Sequence, residues 1–127
     1  DNIYYMLSKS KNYKSLFTKQ QRVDESSRML KKYPQRRPII CDRSKHHNKD
    51  IPILDKRKYL VPDDCTMGDF MYVIRKRIRM PPEKSIFLFV ADMNMVPIGK
   101  SINEIYEEYK DDDGFLYITF AGESTFG

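Results

Sequence analysis

The chain has 127 residues, 40% of them hydrophobic and 13% aromatic, with a formal net charge of +5. That length suits one domain whose core needs no disulfide support, and the absence of a long apolar run or a secretory leader excludes a membrane-spanning helix and an export signal within these residues. The two cysteines, Cys41 and Cys65, make no disulfide framework and are read as buried reduced thiols, which implies an intracellular compartment. Adjacent His46 and His47 have no second ligand pair at zinc spacing, so neither a metal nor a cofactor is expected. Charge is unevenly placed: residues 1–60 hold 16 Lys/Arg against 6 Asp/Glu, and residues 61–127 hold 7 against 12. Such asymmetry suits a basic face for an acidic partner, a membrane or nucleic acid, and ordinary solvated surface accounts for it equally well.

In chain order, Ile3-Tyr4-Tyr5-Met6-Leu7 is apolar and Ser8–Lys14 polar and basic, so residues 1–17 read as an extension that begins at Asp1 rather than Met, as in a trimmed chain. Val23–Lys32 fits a helix that ends before Pro34, because proline disfavours helical geometry at Tyr33. Pro38–Arg43 reads as a strand, Ser44–Asp50 as a polar loop and Ile53–Val61 as a second strand, closed by Pro62. A loop this short favours an antiparallel pair. Thr66-Met67-Gly68-Asp69 has the form of a capping box, and Met67, Phe70, Met71, Ile74 and Ile78 fall on one helical stripe. Arg75, Lys76, Arg77 and Arg79 load the last turns, where cations suit the helix dipole. Met80-Pro81-Pro82 stops that helix.

Ile86–Ala91 is apolar throughout and is expected to be a central strand buried on both faces. Met95–Ile98 reads as a short or edge strand. Ser101-Ile102-Asn103-Glu104 forms a second capping box, opening a helix to Tyr109. Asp111–Gly114 is a turn, and Phe115–Phe120 is a β-branched and aromatic last strand. After residue 37 the order is ββ-α-β(β)-α-β, that of an α+β ubiquitin-like β-grasp, with the first and last strands parallel neighbours and an additional N-terminal helical element. The expected divisions are an extension over 1–17, a helical element over 18–36, the core over 37–120 and a flexible tail over 121–127. A tail ending in Gly127 places a carboxylate beside a carbon without a side chain, able to thread a narrow enzyme channel and to be activated for transfer.

Several strings carry a family resemblance. Lys31-Lys32-Tyr33-Pro34, Arg37-Pro38-Ile39-Ile40, Asp55-Lys56-Arg57-Lys58-Tyr59-Leu60-Val61-Pro62, Thr66–Phe70, Ile74–Ile78, Phe87–Val90, Gly114–Tyr117 and the ending Glu123-Ser124-Thr125-Phe126-Gly127 stand in order and at compatible spacing. Over residues 20–127 the chain resembles the autophagy ubiquitin-like modifiers, the GABARAP and microtubule-associated light-chain-three family. The resemblance implies a non-enzymatic modifier acting in autophagosome formation. Gly127 would be joined to the amine of phosphatidylethanolamine, and Phe126 would be gripped by activating and conjugating enzymes and by a processing or deconjugating cysteine protease. It implies a cytoplasmic free form and a lipidated form on autophagosomal membranes, or on a plastid membrane in a plastid-bearing parasite.

The resemblance also implies docking of aromatic-x-x-aliphatic motifs with acidic neighbours along the strand Lys58–Val61. The aromatic pocket would use Glu25, Met29, Pro38, Lys58, Leu60 and Phe115. The aliphatic pocket would use Tyr59, Val61, Pro62, Cys65, Phe70, Val73 and Ile74, with plain core packing the alternative role of Phe70 and Ile74. Arg36, Lys56, Lys58 and Arg77 would face the motif's acids. The chain departs from the family pattern at Cys65, where a larger aliphatic is usual, in the Ser44–Ile51 loop and before residue 18. Tyr4-Tyr5-Met6-Leu7 itself fits the motif and could dock in this chain's own groove or a neighbour's. The competing readings are a non-conjugated β-grasp interaction domain and a basic domain binding nucleic acid or tubulin. Nucleic acid is not expected, because the aromatic-plus-basic strand pattern of RNA-binding sheets is lacking.

Overall fold

The computed structural model describes residues 11–44, 51–52, 54–91 and 93–122. The expectations for Tyr4–Leu7, for His46 and His47, and for the tail with Phe126 and Gly127 lie outside them. The elements in order are α1 (Tyr13–Leu16), α2 (Lys19–Lys32), β1 (Arg36–Arg43), β2 (Lys58–Pro62), α3 (Met67–Ile78), β3 (Phe87–Val90), β4 (Asn94–Met95), α4 (Ile102–Tyr109) and β5 (Leu116–Ala121). They form the α+β ubiquitin-like fold that the element order predicts. The single five-stranded sheet runs β2-β1-β5-β3-β4, with β1 antiparallel to β2 and parallel to β5.

Strand alternation divides the core between the two sheet faces. Ile39, Cys41, Tyr59, Leu116, Ile118 and Phe120 pack with Met67, Phe70, Ile74 and Ile78 of α3 and with Ile102 and Ile105 of α4. On the other face Ile40, Phe115 and Tyr13 form a smaller cluster, joined by Met29 of α2 and Tyr117. The α3 stripe is buried as its 3.6-residue period requires. Its capping box is complete: the Thr66 hydroxyl accepts from Asp69 N–H (3.1 Å) and the Asp69 carboxylate accepts from Thr66 N–H (3.0 Å).

The structure moves several boundaries. Helix α2 starts at Lys19, ahead of the predicted Val23, because Thr18 and Gln21 form a capping box that the apolar spacing does not reveal. A short helix, α1, occupies part of the stretch read as extension, capped by Asn12 and anchored by buried Tyr13. Strand β2 begins only at Lys58. The Ile86–Ala91 run forms an interior strand as expected, with Leu88, Phe89 and Val90 buried, while β5 holds the middle of the sheet. Strand β3 lies between β5 and the edge strand β4, and its first residue, Phe87, is half-buried. At Ser101 the hydroxyl caps Glu104 N–H (3.1 Å) and also donates to the Glu104 carboxylate (3.1 Å). Both cysteines are free thiols, but only Cys41 is buried; Cys65 is half-buried. No helix among the described residues is long and apolar enough to cross a membrane.

Candidate functional site

Strand β2 lies at an edge of the sheet. Cys41 N–H donates to the Arg57 carbonyl (2.8 Å) and Asp63 N–H donates to the Gln35 carbonyl (2.9 Å). Between those bonds Ile39 faces Tyr59 and Arg37 faces Val61. The alternation of an antiparallel ladder therefore points the backbone groups of Tyr59 and Val61 at β1 and those of Lys58 and Leu60 away from the sheet. Pro62, with no N–H, ends the outward row of donors. A lysine and a proline on an edge strand also discourage indiscriminate strand pairing.

The side chains of β2 divide between two helices. Lys58 and Leu60 share a face with Pro38 and lie toward α2. The Lys58 ammonium reaches the Glu25 carboxylate of α2 at 3.3 Å, and Arg28 reaches its other oxygen at 2.6 Å. The Arg28 hydrogen bond, against partial burial and helped by Lys58, holds Glu25 below the usual carboxylate range. Met29, one turn on, packs beside Phe115, which is wholly buried. Glu25, Met29, Pro38, Lys58, Leu60 and Phe115 are thus brought together at the junction of α2 with the sheet.

Toward α3, Val61 and Cys65 are half-buried against the larger core, Pro62 is exposed, and Val73 is 44% exposed. Tyr59, Phe70 and Ile74 are interior, with the Tyr59 and Phe70 rings in edge-to-face contact at 5.5 Å. Those three side chains support this side of the edge from beneath, leaving Val61, Pro62, Cys65 and Val73 as its accessible apolar surface. Burial pushes the Tyr59 hydroxyl well above its ordinary value, and it donates to the Lys56 carbonyl at 2.8 Å. The Cys65 thiol, packed against the larger core, is also raised, by burial and then by Asp69 and Asp64.

The cations assigned to acidic residues of a motif are not equivalent. Arg77 already holds the Asp55 carboxylate through two bonds of 3.0 and 3.2 Å, and Lys58 is bound to Glu25. Arg36 and Lys56 are exposed, lying over the Tyr33 and Tyr59 rings at 5.1 and 5.2 Å.

The architecture and the ordered strings agree with the comparisons. The model of the family described as "Autophagy protein Atg8 ubiquitin like" matches residues 21–127. The chain belongs to the Atg8 family. Autophagy-related protein 8 of Vanderwaltozyma polyspora is 50% identical over 116 residues, covering 91% of this chain and 96% of that protein. The Schizosaccharomyces pombe protein of the same name is 50% identical over 115 residues, covering 91% and 93%. The crystal structure of Trypanosoma brucei ATG8 superposes with a TM-score of 0.83 at 38% identity, covering 92% of this chain and 98% of that one. Membership makes this a ubiquitin-like autophagy protein.

Sequence reasoning missed what holds α2 in place. The Asp113 carboxylate is wholly buried and accepts from Arg22 Nη1 (2.6 Å), from Phe115 N–H (2.9 Å) and from the Tyr117 hydroxyl. The Asp113 carbonyl accepts from the Ser26 hydroxyl at 2.5 Å. Arg22, Ser26 and Met29 recur at helical spacing, so the face of α2 that bears Met29 is stapled to the turn before β5. Burial and the bond to Asp113 push the Tyr117 hydroxyl far above its ordinary value. The only sequence signal was the acidic turn Asp111-Asp112-Asp113-Gly114, whose spacing gives no sign of which carboxylate is buried. Gly114 is required there: its φ is +90°, and an added Cβ would meet the Ser26 hydroxyl at 2.4 Å.

Proposed function

We propose that this chain is a modifier joined through the Gly127 carboxyl group to the amine of phosphatidylethanolamine, and an adaptor that receives aromatic-x-x-aliphatic segments along β2. The chemistry of attachment belongs to other proteins. ATP-driven activation would convert the carboxylate into a thioester on an enzyme cysteine; the lipid amine would then attack the carbonyl, forming the amide and releasing the thiol. This chain contributes reach and lack of hindrance at Gly127, with Phe126 as a grip for the enzymes and for the deconjugating protease, and is not itself a catalyst. It would be cytoplasmic when free and on autophagosomal membranes when lipidated. The alternative is a β-grasp interaction domain that is never conjugated.

The observation that carries the adaptor half is the edge of β2, unpaired among the described residues, with the Lys58 and Leu60 backbone groups turned outward between two sets of apolar side chains. An extended peptide satisfies those groups as an added strand. Its alternate side chains would fall toward Glu25, Met29, Pro38, Leu60 and Phe115 on one side and Val61, Pro62, Cys65 and Val73 on the other. Arg36, Lys56, Lys58 and Arg77 would attract its acids. Incubation with activating and conjugating enzymes, ATP and phosphatidylethanolamine vesicles tests the conjugation half: a gel shift that Gly127→Ala abolishes is expected, and no shift would overturn it. Titration with a motif peptide tests the other half, with loss of binding when its aromatic residue is replaced by alanine.

A further inference from the structure

The strand directions gather more cations than anions at one end of the molecule, where Asp42 and Asp55 are each held by an arginine. Strand β5 ends beside the end of β1, where Arg43 faces Phe120, and beside the start of β3, where Phe87 faces Ala121. The end of β1 is also the start of β2, since Ile40 faces Lys58. The last turn of α3 reaches the same end, because Arg77 bonds to Asp55 just before β2. The chain therefore leaves the described fold at the end that carries Arg75, Lys76, Arg77 and Arg79 of α3 and Lys84 of the following loop. Arg77 is taken up by Asp55, and the Arg75 guanidinium donates to the Pro81 carbonyl at 3.1 Å. Lys76, Arg79 and Lys84 remain exposed, with Glu83 the acid beside them. The other end of the same elements carries Asp63, Asp64 and Asp69.

Arg79 adds an independent observation. It closes α3 in the left-handed region, at φ 55° and ψ 41°, where its N–H caps the helix. Glycine ordinarily takes this position, because a side chain there crowds the following carbonyl. A charged residue held in a costly conformation at a helix end points to a use for the charge.

We propose that this basic end, centred on Lys76, Arg79 and Lys84, seats anionic phospholipid headgroups and sets the pose of the domain on a bilayer. The inference rests on the conjugation reading for its geometry. Gly127 lies only five residues beyond Gly122, a covalent reach of at most about 18 Å. A domain tethered that closely presents this end to the lipid, leaving β2 at the side, open to peptides. Each cation near an anionic surface strengthens binding roughly five-fold, and the effect fades beyond a Debye length, so a short tether is the arrangement in which it counts.

The test uses the full unconjugated chain in a vesicle-flotation assay, so it does not depend on lipidation. Vesicles of phosphatidylcholine alone are compared with vesicles containing about one-third phosphatidylserine, at low and at physiological salt. The expected result is association with the anionic vesicles alone, weakened by salt and lowered roughly five-fold per cation in Lys76→Ala, Lys84→Ala and their combination with Arg79→Gly. Motif-peptide affinity should be unchanged in these variants, and Lys31→Ala/Lys32→Ala, at the far end of α2, should leave vesicle binding intact. Equal binding of the variants, or no preference for anionic vesicles, would overturn the proposal. Patch-dependent binding of an RNA oligonucleotide without vesicle binding would overturn it too, assigning the patch to nucleic acid. A conjugation assay run alongside separates the two readings, since the patch can fail while the gel shift persists, and the reverse.

Discussion

Removing the Asp113 carboxylate should destabilise the fold and disarm the aromatic side of the groove together. Its side chain has no exposure, and the Arg22 side chain opposite is only 12% exposed. In Asp113→Ala the guanidinium and the Tyr117 hydroxyl lose their shared partner, while Phe115 N–H loses its acceptor. Breaking a buried ion pair by deleting one partner costs about 3–5 kcal/mol, a large part of the ~5–15 kcal/mol that holds a domain together. For a chain of this size that corresponds to a fall in Tm of about 10–20 °C. Asp113→Asn keeps the shape but not the charge and should cost about 1–3 kcal/mol. Arg22→Met/Asp113→Leu leaves no uncompensated charge and should be less damaging than the sum of its single variants. Urea unfolding followed by circular dichroism gives the energies, and motif-peptide titration at a temperature where each variant is folded gives the functional effect. Because Glu25 and Met29 ride on the stapled helix, the peptide should bind more weakly to Asp113→Asn than to the parent. A loss below about 1 kcal/mol for Asp113→Ala, or strict additivity in the double variant, would refute the reasoning.

Gly114→Ala combines a disfavoured φ with a 2.4 Å approach to the Ser26 hydroxyl, and should cost more than about 2 kcal/mol in urea unfolding; Ser26→Ala in the same background should recover part of it. Lys58→Glu places a carboxylate against Glu25 and should weaken acidic motif peptides at low salt, with the difference shrinking as salt is added, measured by titration calorimetry. Arg79→Gly relieves the left-handed cap and should raise stability by about 1 kcal/mol in the urea midpoint, while weakening association with anionic vesicles. Acid titration should expose the carboxylates with depressed values. Glu25 is held down by Arg28 and Lys58; burial pushes Asp111 up, but Lys14 and Asp113 N–H more than offset it. Their contribution is complete above the unfolded range near pH ~4.5 and is lost as pH falls through the folded values, while Asp42, raised by burial, works in the opposite sense. Equilibrium unfolding from pH ~6 down to pH ~3 should therefore show stability falling, and Glu25→Gln should flatten the curve.

What was legible from the chain alone was what local physics writes into neighbouring residues. The α3 stripe from Met67 to Ile78 has a helical period, Thr66 and Asp69 cap it, and the β-branched and aromatic run before Ala121 can only be extended. With the order of elements, these were enough for an α+β β-grasp, and the strings around Lys58–Pro62 were enough for the family. Helix α2 started later in the sequence reading than in the fold because its beginning is polar, and only the reciprocal Thr18–Gln21 bonds define it. Tertiary structure alone decided that β5 is the middle strand, that β2 is an edge strand among the described residues, and which of its backbone groups point outward, because pairing joins residues far apart in sequence. It decided too that Asp113 is a buried anchor rather than a solvated charge, since its partners Arg22 and Ser26 lie ninety-one and eighty-seven residues away. The same long-range pairing sets the Arg75–Arg79 turn at the end where the chain leaves the sheet. Charge was legible from composition, but the direction it faces follows from how the strands pair.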